Sequence, residues 1–497
     1  MGQNHPKNSS FLNFKTIWPI ALIYGLFVFW VSFLLPVGDD WAYFTKPTFT
    51  LSYQNLLPKS WYWRPLDVIF GRILGFAPGL FPLLNHAWIV FGHFIAIFAL
   101  LKLLNLLKVD RNVSFIASII FGFSPGVAAT VFSVDSINQT YALSYGLLGT
   151  LVYLKGNKPI HLIGWLGFTL LALFSKESGI VWFVATPMIG YLIKNENKLP
   201  FNLKDKSTQK LYLQIILGLL LAIFYFYTRI VIFNNPEVLG SSDPNDRLHL
   251  TPFSISFIKN IFLLFGSGLT SIDSVALFLP PRNYLLSILT IILNLPYLIL
   301  LLIGFINALK SGKWFWLLGF ILVALVVSSP HLVMKDPAVM HAYPTIFFSC
   351  LIIGLCLNSI KWNTFSKVAL ICYFLAAVIS NVHIWKTMYE YGKSGQRITD
   401  ALFKNTTSPP KKAAFIFTAD FKPGYSVFKQ TPLLACSGGL AMKSYYGWKY
   451  PEILTKIRID EKNRVDIDRK IKTLIEETRK THDVIWLVDG SKVSVVY

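Results

Sequence analysis

The feature that most constrains this chain is a series of apolar segments that carry no charge and are long enough to cross a membrane. Four of them contain no Asp, Glu, Lys or Arg at all: Thr16–Val37, Leu80–Leu101, Asn112–Val134 and Asn283–Leu309. The hydrocarbon core of a bilayer requires about 20 apolar residues per helix. Because 54% of the 497 residues are hydrophobic and only 14% are charged, a soluble fold could not bury this much apolar surface. The chain is predicted to be an integral membrane protein.

Further segments have the composition of membrane helices and bring the predicted number of spans to about eleven. They are Ser136–Leu154, Pro159–Phe174, Gly179–Ile193, Leu211–Val231, Phe315–Pro330, Tyr343–Leu357 and Val368–Trp385. The segment Phe253–Pro280 is apolar but is interrupted by Gly266, Gly268 and the pair Pro280-Pro281. It could cross the membrane, re-enter it or lie along its surface. The predicted fold class is therefore an all-α polytopic membrane domain.

The distribution of Lys and Arg predicts the orientation of this domain. If the amino terminus is cytoplasmic and Phe253–Pro280 makes no net crossing, the cytoplasmic side carries 16 basic and three acidic residues. The opposite side of the membrane region carries 11 basic and 10 acidic residues. This asymmetry follows the positive-inside rule. It also accounts for much of the net charge of +21, so no nucleic-acid partner is needed to explain the basic composition.

The composition changes after the membrane domain, which is predicted to occupy residues 1–388. In residues 389–497 the apolar runs shorten to strand length at Ala413–Thr418, Val484–Val488 and Lys492–Val496. The segment Asp466–Lys480 has the charged periodicity of a solvated helix. We predict a small α/β domain on the extracytoplasmic face.

Two polar motifs follow the first span, where they would lie at the outer membrane surface. Asp39 and Asp40 are adjacent carboxylates just beyond the hydrocarbon boundary, and Arg64 lies among aromatic residues in the sequence Trp61-Tyr62-Trp63-Arg64-Pro65-Leu66. A structural interpretation is also open for each motif. The two Asp residues could cap a short surface helix, and the aromatic residues could form an interfacial belt.

Two more motifs complete an ordered set along the chain. They are Phe174-Ser175-Lys176-Glu177-Ser178-Gly179 and Met340-His341-Ala342-Tyr343-Pro344. With the Asp pair and the arginine block, this order resembles membrane glycosyltransferases of the GT-C fold. The resemblance is closest to protein O-mannosyltransferases of the transmembrane-and-tetratricopeptide-repeat kind and their bacterial relatives. It covers the chain from the first span to about Gly354. The sequence departs from the family where its histidine-proline block is reduced to Ser124-Pro125-Gly126, and where His341 replaces the usual arginine.

The resemblance implies an inverting transfer of a sugar from a polyprenyl-phosphate lipid to an extracytoplasmic glycan, lipid or protein, in a bacterial inner or plasma membrane. Asp39 aligns with the first acid of the family's pair and is the expected general base, and Asp40 would orient it or help to hold Mg²⁺ or Mn²⁺. A phosphate leaving group needs fixed cations, for which Arg64, Lys176 and a protonated His341 are the candidates. Two supporting roles are also expected: Glu177 would orient Lys176, and Tyr343 would line the phosphate pocket.

Other functions compete with this one. A glycolipid flippase would bind and move the lipid without a base, and an O-antigen-type polymerase or ligase would use a lipid diphosphate and an arginine-rich outer loop. The balanced charge of the outer loops and the carboxylate pair favour the transferase. A glycoside hydrolase is disfavoured because it requires a second carboxylate as an acid, about 5 to 10 Å from the first.

Overall fold

The computed structural model describes most of the membrane domain and part of the region after it. The described residues are 14–36, 40, 63–75, 83–156, 158–195, 205–234, 249–252, 254–274, 284–404, 413–418, 455–459, 464–489 and 492–496.

The membrane part of the described chain is built from α-helices. They are α1 (Phe14–Val31), α2 (Pro65–Gly75), α3 (Leu83–Leu106), α4 (Arg111–Gly122), α5 (Pro125–Phe132), α6 (Ile137–Leu154), α7 (Pro159–Ser175), α8 (Trp182–Lys194), α9 (Lys206–Tyr227), α10 (Ile255–Leu269), α11 (Tyr284–Lys310), α12 (Trp314–Leu332), α13 (Tyr343–Leu357) and α14 (Thr364–Lys404). Short helical turns lie at Val134–Ser136, Glu177–Val181, Thr228–Ile232 and Val339–Ala342.

Several of these helices have the length and composition of membrane spans. Six qualify among the described residues, and α4 with α5 would make a seventh if that pair, which is bent by 49°, is one span. Further apolar helices, such as α7 and α10, are shorter. The chain is therefore a helical membrane protein, and the total of about eleven spans stays a prediction.

Two ends of the helix bundle can be distinguished by their residues. We call one the Asp40 end, because Asp40 lies there beside the chain that joins α5 to α6. We call the other the Lys310 end, where α11 ends and the Lys313 ammonium donates to the Ser359 hydroxyl at 3.1 Å, just beyond α13.

The bend between α4 and α5 follows from Pro125, which has no amide hydrogen and occupies the first turn of α5. Carbonyl groups freed by the break accept hydrogen bonds from other helices. The Asn381 side-chain amide donates to the Phe123 carbonyl at 2.7 Å, and His93 Nε2 lies 3.3 Å from the Gly122 carbonyl. A break in a membrane helix is tolerated when neighbouring helices satisfy the backbone in this way.

The helix α10 enters the bundle from the Asp40 end and stops inside it. Near its start, Asn260 donates to the carbonyl groups of Leu332 and Met334 at the end of α12. Beyond its end, the Ser271 amide donates at 3.0 Å to Asn294, ten residues inside α11. Because α11 ends at the Lys310 end, its first residue lies at the Asp40 end. The chain between the starts of α10 and α11 therefore makes no net crossing of the bundle.

The region after the bundle contains a four-stranded sheet and one described helix. The strands are β1 (Ala413–Thr418), β2 (Thr455–Ile459), β3 (Val484–Asp489) and β4 (Lys492–Val495), and the helix α15 is Arg464–Thr478. The strand order is β2-β1-β3-β4, with β1 parallel to both of its neighbours and β4 antiparallel to β3. These are the strands and the helix expected from the periodicity, together with β2, which was not predicted.

The long helix α14 connects the bundle to the sheet and runs without interruption through the predicted boundary at residues 388 and 389. It also packs along α1 near the Asp40 end. Trp385 stacks on Trp30 of α1 and on Tyr389, with ring centroids 6.4 and 5.1 Å apart. The Trp385 indole also donates to the Trp30 carbonyl at 3.2 Å, and Gly392 lies against Leu35.

Candidate functional site

Asp40 is held against the turn between α5 and α6. One of its carboxylate oxygens accepts hydrogen bonds from the Ser133 hydroxyl at 2.9 Å and from the Asp135 amide at 2.8 Å. The residue is only 2% exposed. The two bonds satisfy donors at the start of a helical turn, which is a capping role supplied by a distant residue. Asp40 thus anchors the chain that carries Asp39, and Asp39 itself lies outside the described residues.

Arg64 and Glu177 form an ion pair near the Asp40 end. Arg64 Nε donates to Glu177 Oε2 at 2.8 Å, and both side chains are about four-fifths buried. The ion-pair partner of the Glu177 carboxylate is therefore Arg64, and Glu177 acts on the neighbouring Lys176 through its charge. The expected role of Glu177 in orienting Lys176 stays a prediction.

Lys176 lies just beyond α7 and is buried, with 8% of its surface exposed. Burial lowers the pKa of its ammonium group to about 8, and the positive charge of Arg64 acts in the same direction. The nearby carboxylates of Asp135, Glu177 and Asp67 act in the opposite direction. Lys176 is therefore in a group of charges drawn from three parts of the chain, and the Asp135 amide joins this group to Asp40.

Gly179 explains the local shape of the segment that carries Lys176 and Glu177. The Gly179 amide donates to the Lys176 carbonyl at 2.8 Å, which closes a turn directly after α7. A Cβ atom on Gly179 would lie 2.3 Å from the backbone carbonyl of Ala172. Backbone cannot move aside as a flexible side chain can. A glycine is therefore required for this turn to pack on the last turn of α7.

We expect Gly179→Ala to destabilise the protein by about 1–3 kcal/mol, because the added methyl group forces apart two backbone segments. The measurement is the thermal unfolding midpoint of the purified protein in detergent. Gly167→Ala is the matched control, since it adds the same methyl group within α7 with no atom within 4 Å and alanine favours the helix. Equal midpoints for the two variants would contradict the close approach.

Arg229 adds another cation to this region, beside an aromatic stack. The Trp63 and Tyr225 rings stack with centroids 6.0 Å apart, and the Arg229 guanidinium carbon lies 6.0 and 5.9 Å from these two rings. Arg229 is fully buried and donates to the Tyr225 hydroxyl at 3.4 Å. The charges of Glu177 and Arg64 also act on that hydroxyl. Trp63 is therefore partly buried and packs beside the cations.

Two buried histidines stack beside the cations. The rings of His331 and His341 lie parallel with centroids 4.1 Å apart, and the charge of Lys176 acts on His331. His341 Nδ1 accepts a hydrogen bond from the Ala338 amide at 3.0 Å, so a proton on a neutral ring is on Nε2. Neither ring nitrogen of His331 has a hydrogen-bond partner in the described part of the chain. Buried polar groups without a hydrogen-bond partner are uncommon in proteins. A bound ligand would supply such a partner to His331.

Tyr343 is placed elsewhere in the bundle. Its hydroxyl lies 2.9 Å from His93 Nδ1, and the other nitrogen of that ring faces the Gly122 carbonyl. Because a carbonyl only accepts, His93 donates through Nε2 and accepts the Tyr343 proton at Nδ1. Tyr343 thus supports the break between α4 and α5. We therefore leave it out of the proposed phosphate pocket.

The described residues contain no group of three or more His, Cys, Asp or Glu side chains arranged to hold a metal ion. Of the proposed ligands, Asp40 is occupied by the two hydrogen bonds described above, and Asp39 is not described. Mg²⁺ or Mn²⁺ dependence remains a prediction from the sequence.

The arrangement combines cations and carboxylates in a way suited to binding an anion next to a proton acceptor. We call Arg64, Lys176 and Arg229 the cation cluster. Sequence reasoning identified Arg64 and Lys176 but did not single out Arg229, Asp67 or His331. A signal for Arg229 was present, because it is the only charged residue between Lys210 and Glu237, and an ionisable residue within a membrane segment is commonly functional.

No protein-family model matches the chain, and no curated protein matches it.

Proposed function

We propose that the protein is a membrane glycosyltransferase that moves a sugar from a polyprenyl-phosphate lipid to an acceptor outside the cytoplasm. The observation that carries this proposal is the cation cluster, buried beside the carboxylates at one end of an apolar helix bundle. The resemblance of the ordered motifs to GT-C mannosyltransferases supports the same function.

The cation cluster suits the leaving group of such a reaction. When the bond between the sugar and the phosphate breaks, negative charge grows on the departing polyprenyl phosphate. Preformed cations in a site with little water stabilise this charge more than they stabilise the ground state. Arg64 is held by Glu177 and Arg229 by two aromatic rings, so both guanidinium groups are oriented before the substrate binds.

The carboxylates suit the other half of the reaction. The acceptor hydroxyl must lose its proton as its oxygen attacks the sugar carbon from the face opposite the phosphate. We assign this step to Asp39 and the positioning of its loop to Asp40. The phosphate leaves without protonation, so no carboxylic acid is required on its side.

The lipid donor explains why this site is found in a helix bundle. A polyprenyl chain needs an apolar path beside the cations, and the helices offer one because their outer faces carry exposed Leu, Ile and Phe side chains. The charge asymmetry of the loops favours an Asp40 end outside the cytoplasm. We therefore propose that donor and acceptor meet at the extracytoplasmic surface.

Mass spectrometry of envelope glycans from a deletion strain tests this function. We expect the deletion strain to lack one monosaccharide. Expression of the wild-type protein should restore this sugar, and expression of Asp39→Asn should not. Purified protein should then release polyprenyl phosphate from the corresponding polyprenyl-phosphate sugar. Accumulation of an untransported lipid with no requirement for Asp39 would instead indicate a flippase.

Donor binding is expected to weaken as pH rises from 7 to 9.5. The pKa of Lys176 is lowered to about 8, so its ammonium is charged at pH 7 and largely neutral at pH 9.5, while the donor phosphodiester keeps its charge throughout. Loss of one cation from a buried phosphate site should reduce affinity by about tenfold. The measurement is the donor dissociation constant across this pH range.

Lys176→Arg is the control for this pH dependence, because guanidinium does not titrate below pH 12. Its donor affinity should change little across the range, even if the larger side chain weakens binding overall. An unchanged pH dependence in Lys176→Arg would assign the titration to another group.

A further inference from the structure

A second polar site lies at the Lys310 end of the bundle, on the opposite side from the cation cluster. A cavity of about 600 Å³ opens there between the end of α11, the turn before α12 and the chain that joins α13 to α14. Its polar wall includes Asn307, Lys310, Ser311, Lys361 and Asn363. Nothing in the proposed reaction uses this cavity.

The turn that forms one wall of the cavity depends on Gly312. This residue has φ of +80°, a conformation that side-chain-bearing residues rarely adopt. The tight turn brings the start of α12 back beside α13, where Lys313 donates to the Ser359 hydroxyl. Lys313 is therefore engaged by Ser359, which lines the cavity, while Lys310 is exposed beside the opening.

The two lysines of the cavity carry charge that the described protein does not neutralise. Lys310 and Lys361 are both exposed, and neither is within salt-bridge distance of a carboxylate in the described ranges. The positive-inside rule explains why lysines occur at this end. It does not explain why two of them line one cavity together with amide and hydroxyl groups.

The remaining wall of the cavity is apolar and continues onto the outer surface of the bundle. Ile303 and Phe365 line it and are 41% and 40% exposed. Leu302 and Ile299, which lie on α11 with Ile303, are exposed as well. An occupant therefore needs an anionic part for the lysines and hydrocarbon for the helix surfaces.

We propose that this cavity binds the head group of an anionic glycerophospholipid of the membrane leaflet at the Lys310 end. The phosphate would lie between Lys310 and Lys361, with Asn307 and Asn363 as further donors. The acyl chains would follow the exposed apolar face of α11. Basic pockets between membrane helices on the cytoplasmic side are suited to anionic head groups for this reason.

The test is lipid binding to the purified full-length protein, measured by native mass spectrometry with phosphatidylglycerol and phosphatidylcholine of identical acyl chains. We expect preferential binding of phosphatidylglycerol by the wild type. Lys310→Ser and Lys361→Ser should each reduce that affinity by about fivefold, the contribution of one lysine near anionic lipid, and should leave phosphatidylcholine binding unchanged.

Lys155→Ser is the matched control, since Lys155 is an exposed lysine at the same end but does not line the cavity. It should bind phosphatidylglycerol as the wild type does. Equal losses in all three variants would show a diffuse effect of charge and overturn the site. Displacement of the lipid by millimolar inorganic phosphate would also overturn it, because the cavity would then recognise a free anion. The proposal does not depend on the transferase function, and Asp39→Asn should leave this binding intact.

Discussion

Replacement of Asp39 by Asn is expected to abolish sugar transfer while the protein stays inserted, folded and able to bind its lipid donor. The amide cannot accept the proton of the acceptor hydroxyl, and a positioned general base contributes about 10²- to 10⁴-fold to the rate. The measurement is the rate of transfer in reconstituted vesicles, with donor binding measured separately. Lys102→Ala is the control, because Lys102 lies at the opposite end of the bundle over the Phe98 ring.

Asp40→Asn is expected to have a much smaller effect. The bonds from the Ser133 hydroxyl and the Asp135 amide reach one carboxylate oxygen, and the side-chain carbonyl of Asn can accept both. Asp40→Ala should lose these bonds and misplace the loop, with a larger loss of activity. Full activity in Asp39→Asn together with an inactive Asp40→Asn would transfer the role of base to Asp40.

Arg64→Ala is expected to reduce kcat/KM by about 10²- to 10³-fold, the cost of removing one preorganised donor from a developing negative charge. It also leaves Glu177 without its only described ion-pair partner, close to where the phosphate would bind. Arg64→Lys keeps the charge but loses the planar guanidinium group, so its kcat/KM should fall less than that of Arg64→Ala. Equal and small effects of both variants would support a structural role for Arg64.

The second mutation Glu177→Gln sharpens this test. In Arg64→Ala the remaining carboxylate repels the donor phosphate, so the double variant should recover part of the lost activity. Lys259→Ala serves as the control, because it breaks another ion pair, with Asp336 at 2.7 Å, outside the cation cluster. A double variant worse than Arg64→Ala would show that Glu177 has a separate role.

The membrane character and two residues of the cation cluster could be predicted from the sequence for a simple physical reason. A long run without charge, such as Asn283–Leu309, has few ways to fold except across a bilayer, and α11 occupies Tyr284–Lys310. Polar residues that flank such runs lie toward the ends of the helices, as Lys176 does directly after α7. The strand β1 was also predicted to the residue, because its five apolar residues and Thr418 follow directly after two lysines.

The pairing of these residues could not be predicted in the same way. Glu177 follows Lys176 in the chain, which suggested a local pair, but the turn closed at Gly179 directs the carboxylate toward Arg64, 113 residues away. Tyr343 follows His341, yet its hydroxyl bonds to His93 inside the bundle. Spacing along a chain does not determine which way a side chain points at the end of a helix.

The contact between α1 and α14 links the part of the chain that precedes Asp40 to the sheet. With 41 residues, α14 is about 60 Å long, roughly twice the thickness of the hydrocarbon core. The stacked rings of Trp30, Trp385 and Tyr389 join it to the helix that precedes Asp40. A tilt of α1 would therefore displace the far end of α14, and with it the sheet, by a larger distance than it displaces Asp40. A partner that binds the sheet would in turn act on the position of Asp40.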